Sequence, residues 1–511
     1  MPPLIERIPD VSILEKAKED GYSHFPITAE LLEDIFTPVG LYLRLRQMGS
    51  NSFLLESAEG GENIGRYSFM GVNPFATFTV ANGEVRLTVG GETKVSTSSP
   101  IEVLRAFFST FKVYPLDNLP RLSSGAVGYF GYNFVRYLER IPIQVEADSP
   151  PEVLLNFFDT IVAVDNLKRR VILIALVSLG GDIEGIRVSL EKCTSRLHQL
   201  SEVFRRPDKG SRDSAALDAM KCEIGIPSFN ITKERYKENV ERAKDYIIEG
   251  DIFQVVPSQR AEFKLKGDPF PLYRGLRTLN PSPYMFYLES HLPVGSAGKG
   301  KRLAVIGSSP EMFVRKEGRR VETRPIAGTS PRGATQEEDN RFTYGLLHDE
   351  KERAEHVMLV DLGRNDIGRV AAPGTVRVEN FMHIEKFSHV MHIVSDVIGE
   401  ANGTDDALQT LVACFPAGTL SGAPKIRAME IISELEDIPR QVYGGAVGYI
   451  DFNDNMDTCI AIRTFVVNGD TCYLQAGGGI VYDSDPDREY NESLNKMKAN
   501  LEALKLLDKF Q

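Results

Sequence analysis

Residues 474–496, LQAGGGIVYDSDPDREYNESLNK, impose a sharp reversal of the chain followed at once by a helix. Gly477, Gly478 and Gly479 carry no Cβ, so the backbone turns tightly there and its N–H groups can approach a ligand closely. Asp485-Pro486 supplies an N-cap and a proline at the first helical position. Tyr490, Leu494, Met497, Leu501 and Leu504 recur at helical spacing and predict the buried stripe. Glu489 and Glu492, three residues apart, project from one face. A glycine turn beside paired carboxylates suits a metal and a small anion together. The spacing alone equally allows a solvated helix start, where acidic side chains favour the helix dipole.

A second stretch has the same layout. DEKERAEHVMLVDLGRNDIGRV (349–370) predicts a helix that turns Ala354, Val357, Met358 and Val360 inward and carries Glu352 and Glu355 three apart. Two helices with such pairs can face one cation. Mg²⁺ takes one or two carboxylates and keeps positions for water and substrate oxygens.

The rest of the chain is rich in short β-like runs punctuated by Gly and Pro, without regular βαβ alternation. Helices are expected over 11–20, 28–36 (stopped by Thr37-Pro38), 181–202 and 232–250, the last capped by Thr232. Strands are expected over 52–55, 67–70, 75–95 (with turns at Asn82-Gly83 and Gly90-Gly91), 124–132, 160–177, 252–263, 281–288, 304–314 and 322–333. GSAGKGK (295–301) lacks the spacing of a phosphate loop and reads as a hairpin loop. The expected fold is α+β, two packed lobes with large, mainly antiparallel sheets flanked by helices. Residues 206–228, polar and aperiodic, divide an N-terminal lobe (1–205) from a C-terminal lobe (229–511).

A net charge of −12, with no long basic run, disfavours nucleic acid or an anionic membrane as partner. MPPLIERIPD lacks a signal-peptide layout, and no apolar run approaches a membrane span. Five cysteines without a CxxC pair argue for a reducing cytoplasm and against a disulfide framework or thiolate zinc site.

The segments ETRPIAGTSPRG, AEHVMLVDLGRNDIGRV, HIVSDV, FPAGTLSGAPK, GGAVGYIDF, AIRTF and QAGGGIVYDSDPDREYNES occur in this order. With them the chain resembles the chorismate-utilising enzymes over nearly its whole length, and most closely their anthranilate synthase large-subunit branch. The resemblance implies Mg²⁺ held by Glu355 and Glu492, with Glu352 and Glu489 as companion carboxylates. A bridging cation would turn repulsion of the doubly anionic substrate, chorismate, into attachment. The same likeness implies substrate contacts at Gly328, Thr329, Tyr443, Arg463, Lys496 and the backbone of Gly477, Gly478 and Gly479. It implies proton handling or ring orientation by His392, a general acid at Glu311 for the departing C4 hydroxyl, and a hydrogen bond near the site from Thr419. By spacing alone, Arg463 reads as a surface strand residue, while Tyr443 and His392 read as core.

Two positions separate the branches of the family. Gln254 stands in FQVVPS where water-using relatives carry a lysine base, and Ala327 stands in PIAGT where the aminodeoxychorismate branch carries lysine. Both point to amination at C2 with ammonia, followed by loss of pyruvate, to give anthranilate. An aminodeoxychorismate synthase, an isochorismate-type enzyme and a non-catalytic binder of aromatic acids are the alternatives. No cysteine has the Gly-flanked setting of a glutaminase nucleophile, so this chain is expected to lack a glutaminase; the resemblance implies ammonia from a separate glutaminase subunit, in a heterotetramer of two copies of each chain. Leu55, Glu56 and Ser57, with Pro283, Tyr284 and Met285, resemble the feedback site for L-tryptophan.

Overall fold

The computed structural model describes residues 4–32, 37–57, 65–146, 148–205, 222–292, 300–386, 390–403 and 405–507. Residues 206–221, where most of the expected linker falls, and 295–299 of the glycine-rich GSAGKGK segment lie outside them.

Among the described residues the strands form one sheet of 13 strands, one of 12 and a two-stranded pair, and every ladder in them is antiparallel. The two large sheets share a core. Phe53, Phe69, Ile172, Phe286 and Val466 of the first pack with Val127, Tyr129, Leu154 and Val447 of the second. Helices cover the outer faces: Leu41, Leu197, Phe270 and Met497 pack on the first sheet, and Leu104, Val360, Leu411 and Met429 on the second. Antiparallel sheets usually alternate apolar and polar because one face meets water. Here both faces are covered, so strands such as Val153–Phe158 (VLLNFF) are buried at every position. The α+β architecture follows from this layering.

Segments on both sides of residues 206–228 contribute to each large sheet. Ser52–Glu56 pairs with Tyr284–His291, and Gly125–Phe130 pairs with Ala446–Asp451. Glycine is also needed beside the second junction, where Gly125–Phe130 runs against Val153–Phe158 on its other side. Gly128 and Gly448 are directly paired, and a Cβ on Gly128 would stand 1.9 Å from the Leu154 carbonyl oxygen.

Several expected elements differ. The helix expected over 28–36 is, within the described residues, a strand, His24–Leu32. Phe25, Ile27, Ala29 and Leu31 alternate into the core, and pairing with Arg170–Ser178 overrides local helix preference. Thr37-Pro38 starts a helix and does not stop one: the Thr37 hydroxyl accepts the Gly40 N–H at 3.1 Å, and Pro38 begins Pro38–Arg46. The run 252–263 is broken into Gln254–Val255 and Ser258–Gly267, which pair with different partners. The helix expected over 181–202 is Ile183–Arg205, which buries Ile186 and Leu197 and leaves Ile183 and Val188 exposed.

Candidate active site

The helix Glu350–Gly368 is capped by Asp349, whose carboxylate accepts the Lys351 and Glu352 N–H groups. Its buried face is His356, Leu359, Val360, Gly363, Asp366 and Ile367. The expected inward face was different: Ala354, Val357 and Met358 line an open groove, and Val357 is 42 % exposed. His356 takes the inward place through its Nε2, 2.7 Å from the buried Ser395 hydroxyl. This rotation leaves Glu352 and Glu355 half-buried at the mouth of the site.

The helix Pro486–Leu504 is capped by Asp485 as its sequence implies. Its buried face is Glu489, Ser493, Met497, Asn500 and Ala503, and Tyr490, Leu494, Leu501 and Leu504 are only half-buried. The polar members of that face are partnered. Ser493 accepts the Gln259 amide at 2.5 Å, and Asn500 donates to the Arg463 carbonyl at 2.9 Å. This polar stripe draws Glu489 in, and Glu492 follows.

The two carboxylate pairs meet. Burial raises the Glu355 pKa first, and repulsion from Glu352 and Glu492 adds to it. Glu352 is raised by burial, then by Asp349 and Glu492; Glu489 is raised by burial and by Glu492, against a hydrogen bond from Ser484. The glycine turns reach the same place. A Cβ on Gly478 would lie 3.2 Å from Glu489 Oε2 and 3.8 Å from Glu492 Oε1, and one on Gly328, whose φ is +66°, 3.2 Å from Glu352 Oε2. Gly477 is required by crowding, because an added Cβ would stand 2.3 Å from the Pro257 carbonyl oxygen; one on Gly479 would meet the end of the Gln254 side chain, at 2.3 Å from its Nε2. Lys496 Nζ donates to the Gly477 carbonyl at 3.0 Å and lies 2.9 Å from Glu492 Oε1.

Around these acids stand the other expected residues. His392 pairs with Thr329 across a ladder that is irregular at Gly328. Its Nδ1 lies 2.9 Å from the Gly328 carbonyl and 3.2 Å from the Thr329 hydroxyl. A carbonyl can only accept, so Nδ1 carries the proton and Nε2 the lone pair. Burial lowers the His392 pKa, and nearby Arg463 adds to the effect. Arg463 has φ +51°, and its carbonyl is held by Asn500 and by the Ser308 N–H. Its guanidinium is depressed by burial alone, and no carboxylate is paired with it among the described residues. Tyr443 is buried, its hydroxyl facing the Gly477 N–H. Burial pushes the Glu311 carboxyl up to about 7, against the Thr419 hydroxyl and the Lys496 charge. The Thr419 hydroxyl points at Glu311 without closing a full hydrogen bond.

Among the described residues no three His, Cys, Asp or Glu side chains form a metal-ligating cage. Mg²⁺ needs none, because one or two carboxylates with water and substrate oxygens satisfy it. Hard oxygen donors crowded until they repel one another are a fitting set for that ion. No helix among the described residues is long and apolar enough to cross a membrane.

Leu55, Glu56, Ser57, Pro283, Tyr284 and Met285 come together elsewhere, between the two sheets, on a cavity of about 350 Å³. Glu56 is held by the Tyr273 hydroxyl and by Arg277 at 3.1 Å. The Tyr284 hydroxyl donates to Asp457 at 3.0 Å and accepts from Arg315.

A profile of chorismate binding enzymes matches residues 50–502. Anthranilate synthase component 1 of Acetivibrio thermocellus is 46% identical over 97% of this chain and 97% of its own length. The protein of the same name from Aquifex aeolicus is 44% identical over 96% and 97%. The crystal structure of anthranilate synthase component I from Streptococcus pneumoniae superposes with a TM-score of 0.74 at 33% identity, covering 92% of this chain and 98% of that one. The menaquinone-specific isochorismate synthase MenF of Escherichia coli shares the fold, with a TM-score of 0.66 at 17% identity over 97% and 98%.

Proposed function

The chain belongs to the chorismate-binding enzyme family, and from that premise we infer that it acts as component I of an anthranilate synthase. It converts chorismate and ammonia to anthranilate and pyruvate. One observation carries the reading at the level of the site: two Glu-x-x-Glu helices converge beside a glycine turn and a half-buried, desolvated arginine that has no carboxylate partner among the described residues.

The chemistry follows from the placement of these groups. Arg463 offers a desolvated guanidinium to one substrate carboxylate, a pairing that can be bidentate. Gly477, Gly478 and Gly479 leave room for close approach, and the Tyr443 hydroxyl borders them. Glu355 and Glu492, with Glu352 and Glu489 beside them, would hold Mg²⁺, which when bound offsets the acidic charge and gives the second carboxylate a cation to rest on. Glu311, protonated up to about pH 7, gives its proton to the C4 oxygen as the C–O bond breaks and water leaves. Ammonia forms the C–N bond at C2 and sheds a proton. His392, with its Nε2 lone pair, is placed to take the ring proton as pyruvate is eliminated.

Gln254 and Ala327 favour the ammonia-using, pyruvate-releasing branch over the isochorismate and aminodeoxychorismate branches. Ammonia comes from a glutamine amidotransferase subunit, and we place two copies of each chain in the complex. The cavity at Ser57 and Tyr284 has room for L-tryptophan as feedback inhibitor, with Arg315 and Asp457 on its wall.

The test is direct: chorismate, Mg²⁺ and ammonium, following anthranilate fluorescence and pyruvate. Amino product without pyruvate would assign the aminodeoxychorismate branch. Turnover without ammonium would assign the isochorismate branch. No Mg²⁺-dependent consumption of chorismate would leave only a binding role. Glutamine hydrolysis by this chain alone would overturn the separate ammonia donor.

A further inference from the structure

Arg440 is 2 % exposed and takes no direct part in the chemistry above. Its guanidinium uses every side of its fork. Nε and Nη2 donate to Glu436, at 2.9 Å from Oε2 and 2.6 Å from Oε1; Nη1 donates to the Leu420 carbonyl at 2.6 Å, and Nη2 also donates to the Val256 carbonyl. The plane lies over two rings, 4.7 Å from the Tyr132 centroid and 5.6 Å from that of Tyr443. Glu436, on the other side of the pair, accepts the Ser258 N–H at 2.8 Å and its hydroxyl at 2.7 Å.

Apart from the Tyr132 ring, these contacts lead by one residue or one rung to a group placed at the substrate, or end on one. Leu420 follows Thr419, which faces Glu311. Val256 precedes Pro257, whose carbonyl oxygen crowds Gly477, and Ser258 is the ladder partner of Gly477. Tyr443 lies under the guanidinium itself. A buried ion pair whose only task was cohesion would have no reason to spread its donors over three separate segments that all reach one site.

We propose that Arg440 and Glu436 form a positioning pair that sets the Thr419 turn, the Tyr443 ring and the Gly477 turn against one another, so that the substrate meets all three in register. Lysine cannot replace arginine in this role. A single ammonium keeps the attraction to Glu436 but cannot reach two carbonyls and cover two rings together. The inference rests on the proposed reaction, and wild-type turnover of chorismate tests that reaction first and separately.

The experiment compares Arg440→Lys and Ser258→Ala with wild type in the presence of Mg²⁺, chorismate and ammonium, at a temperature well below each variant's unfolding midpoint. Arg440→Lys is expected to lower kcat/KM by about ten-fold or more, and Ser258→Ala, which removes one donor to Glu436 together with the acceptor of the Gln475 amide, by a few-fold. Both should leave binding of L-tryptophan unchanged. In a double-mutant cycle, Arg440→Lys should cost less on a Tyr443→Phe background than on wild type, because the ring it orients has lost its hydroxyl. A lowered midpoint with wild-type kcat and KM, or strictly additive effects with Tyr443→Phe, would reduce the pair to a structural tie. If Arg440→Lys does not fold, Ser258→Ala alone decides: wild-type kinetics in that variant overturns the proposal.

Discussion

Lys496 sits one helical turn beyond Glu492 and holds its carboxylate at 2.9 Å while donating to the Gly477 carbonyl at 3.0 Å. One cation thus ties an acid at the mouth of the site to the glycine turn, and it also faces Glu311. Without a divalent ion, Lys496 serves as a counter-charge to Glu355, Glu489 and Glu492, while Lys351 and Arg488 serve Glu352.

Removing either acid should therefore separate metal use from folding. Glu355→Gln and Glu492→Gln are each expected to raise the Mg²⁺ concentration needed for half-maximal activity by at least about ten- to a hundred-fold. Thermal unfolding without Mg²⁺ should not be weakened in Glu355→Gln, because burial and like charge already disfavour that carboxylate. Mg²⁺ titrations of activity with parallel melting curves check both points.

Glu311 has a folded pKa of about 7 against an ordinary 4.5. The native state binds the extra proton between these values, so this group stabilises the fold at low pH and its contribution is lost as pH rises through about 7. Activity that needs the protonated acid falls over the same limb. Glu311→Gln should lose that limb, lower kcat by roughly 10²- to 10⁴-fold, and melt higher relative to wild type at pH 8 than at pH 5. A wild-type limb retained in the variant would assign the acid elsewhere.

The desolvated guanidinium of Arg463, half-buried, has no carboxylate partner among the described residues, so its loss should harm substrate binding more than stability. Arg463→Met is expected to raise the chorismate KM by about ten- to a hundred-fold, as for a charge-assisted hydrogen bond of about 1.5–3 kcal/mol. Its unfolding midpoint should equal or exceed that of wild type. A large drop in midpoint would show that the protein itself needs the charge.

The cavity between the sheets gives a fourth expectation. Ser57→Ala should weaken inhibition by L-tryptophan, and the thermal shift the amino acid produces, while uninhibited turnover stays near wild type. Parallel loss of turnover and inhibition would place the two ligands in one site.

Backbone crowding gives a fifth. Gly477→Ala would put a Cβ 2.3 Å from the Pro257 carbonyl oxygen, and the backbone there cannot yield cheaply. A loss of about 1–3 kcal/mol in stability is expected, read as a shift in denaturant midpoint.

The carboxylate pairs, the glycine run and the Asp485-Pro486 cap are legible in the sequence because each is local: spacing within one helix or turn dictates its form. The face a helix buries is a matter of tertiary partners. Pro486–Leu504 buries Glu489, Ser493 and Asn500 because Gln259 and Arg463 supply polar partners no sequence window contains. Glu350–Gly368 likewise turns His356 inward to Ser395 and leaves Val357 outside. His24–Leu32 becomes a strand for a similar reason, since its ladder partner lies at Arg170–Ser178. Arg440 offers no clue at all in sequence, because its importance lies in carbonyls and rings brought to it by other segments.

The pairing of Gly125–Phe130 with Ala446–Asp451, and of Ser52–Glu56 with Tyr284–His291, also dictates a schedule for the nascent chain. Strands made early must wait beside the ribosome with unpaired edges until partners made much later emerge, and such edges invite association with other chains. Productive folding of this protein should thus be largely post-translational, and a chaperone that shields β edges should raise its yield more than it raises that of a protein with local pairing.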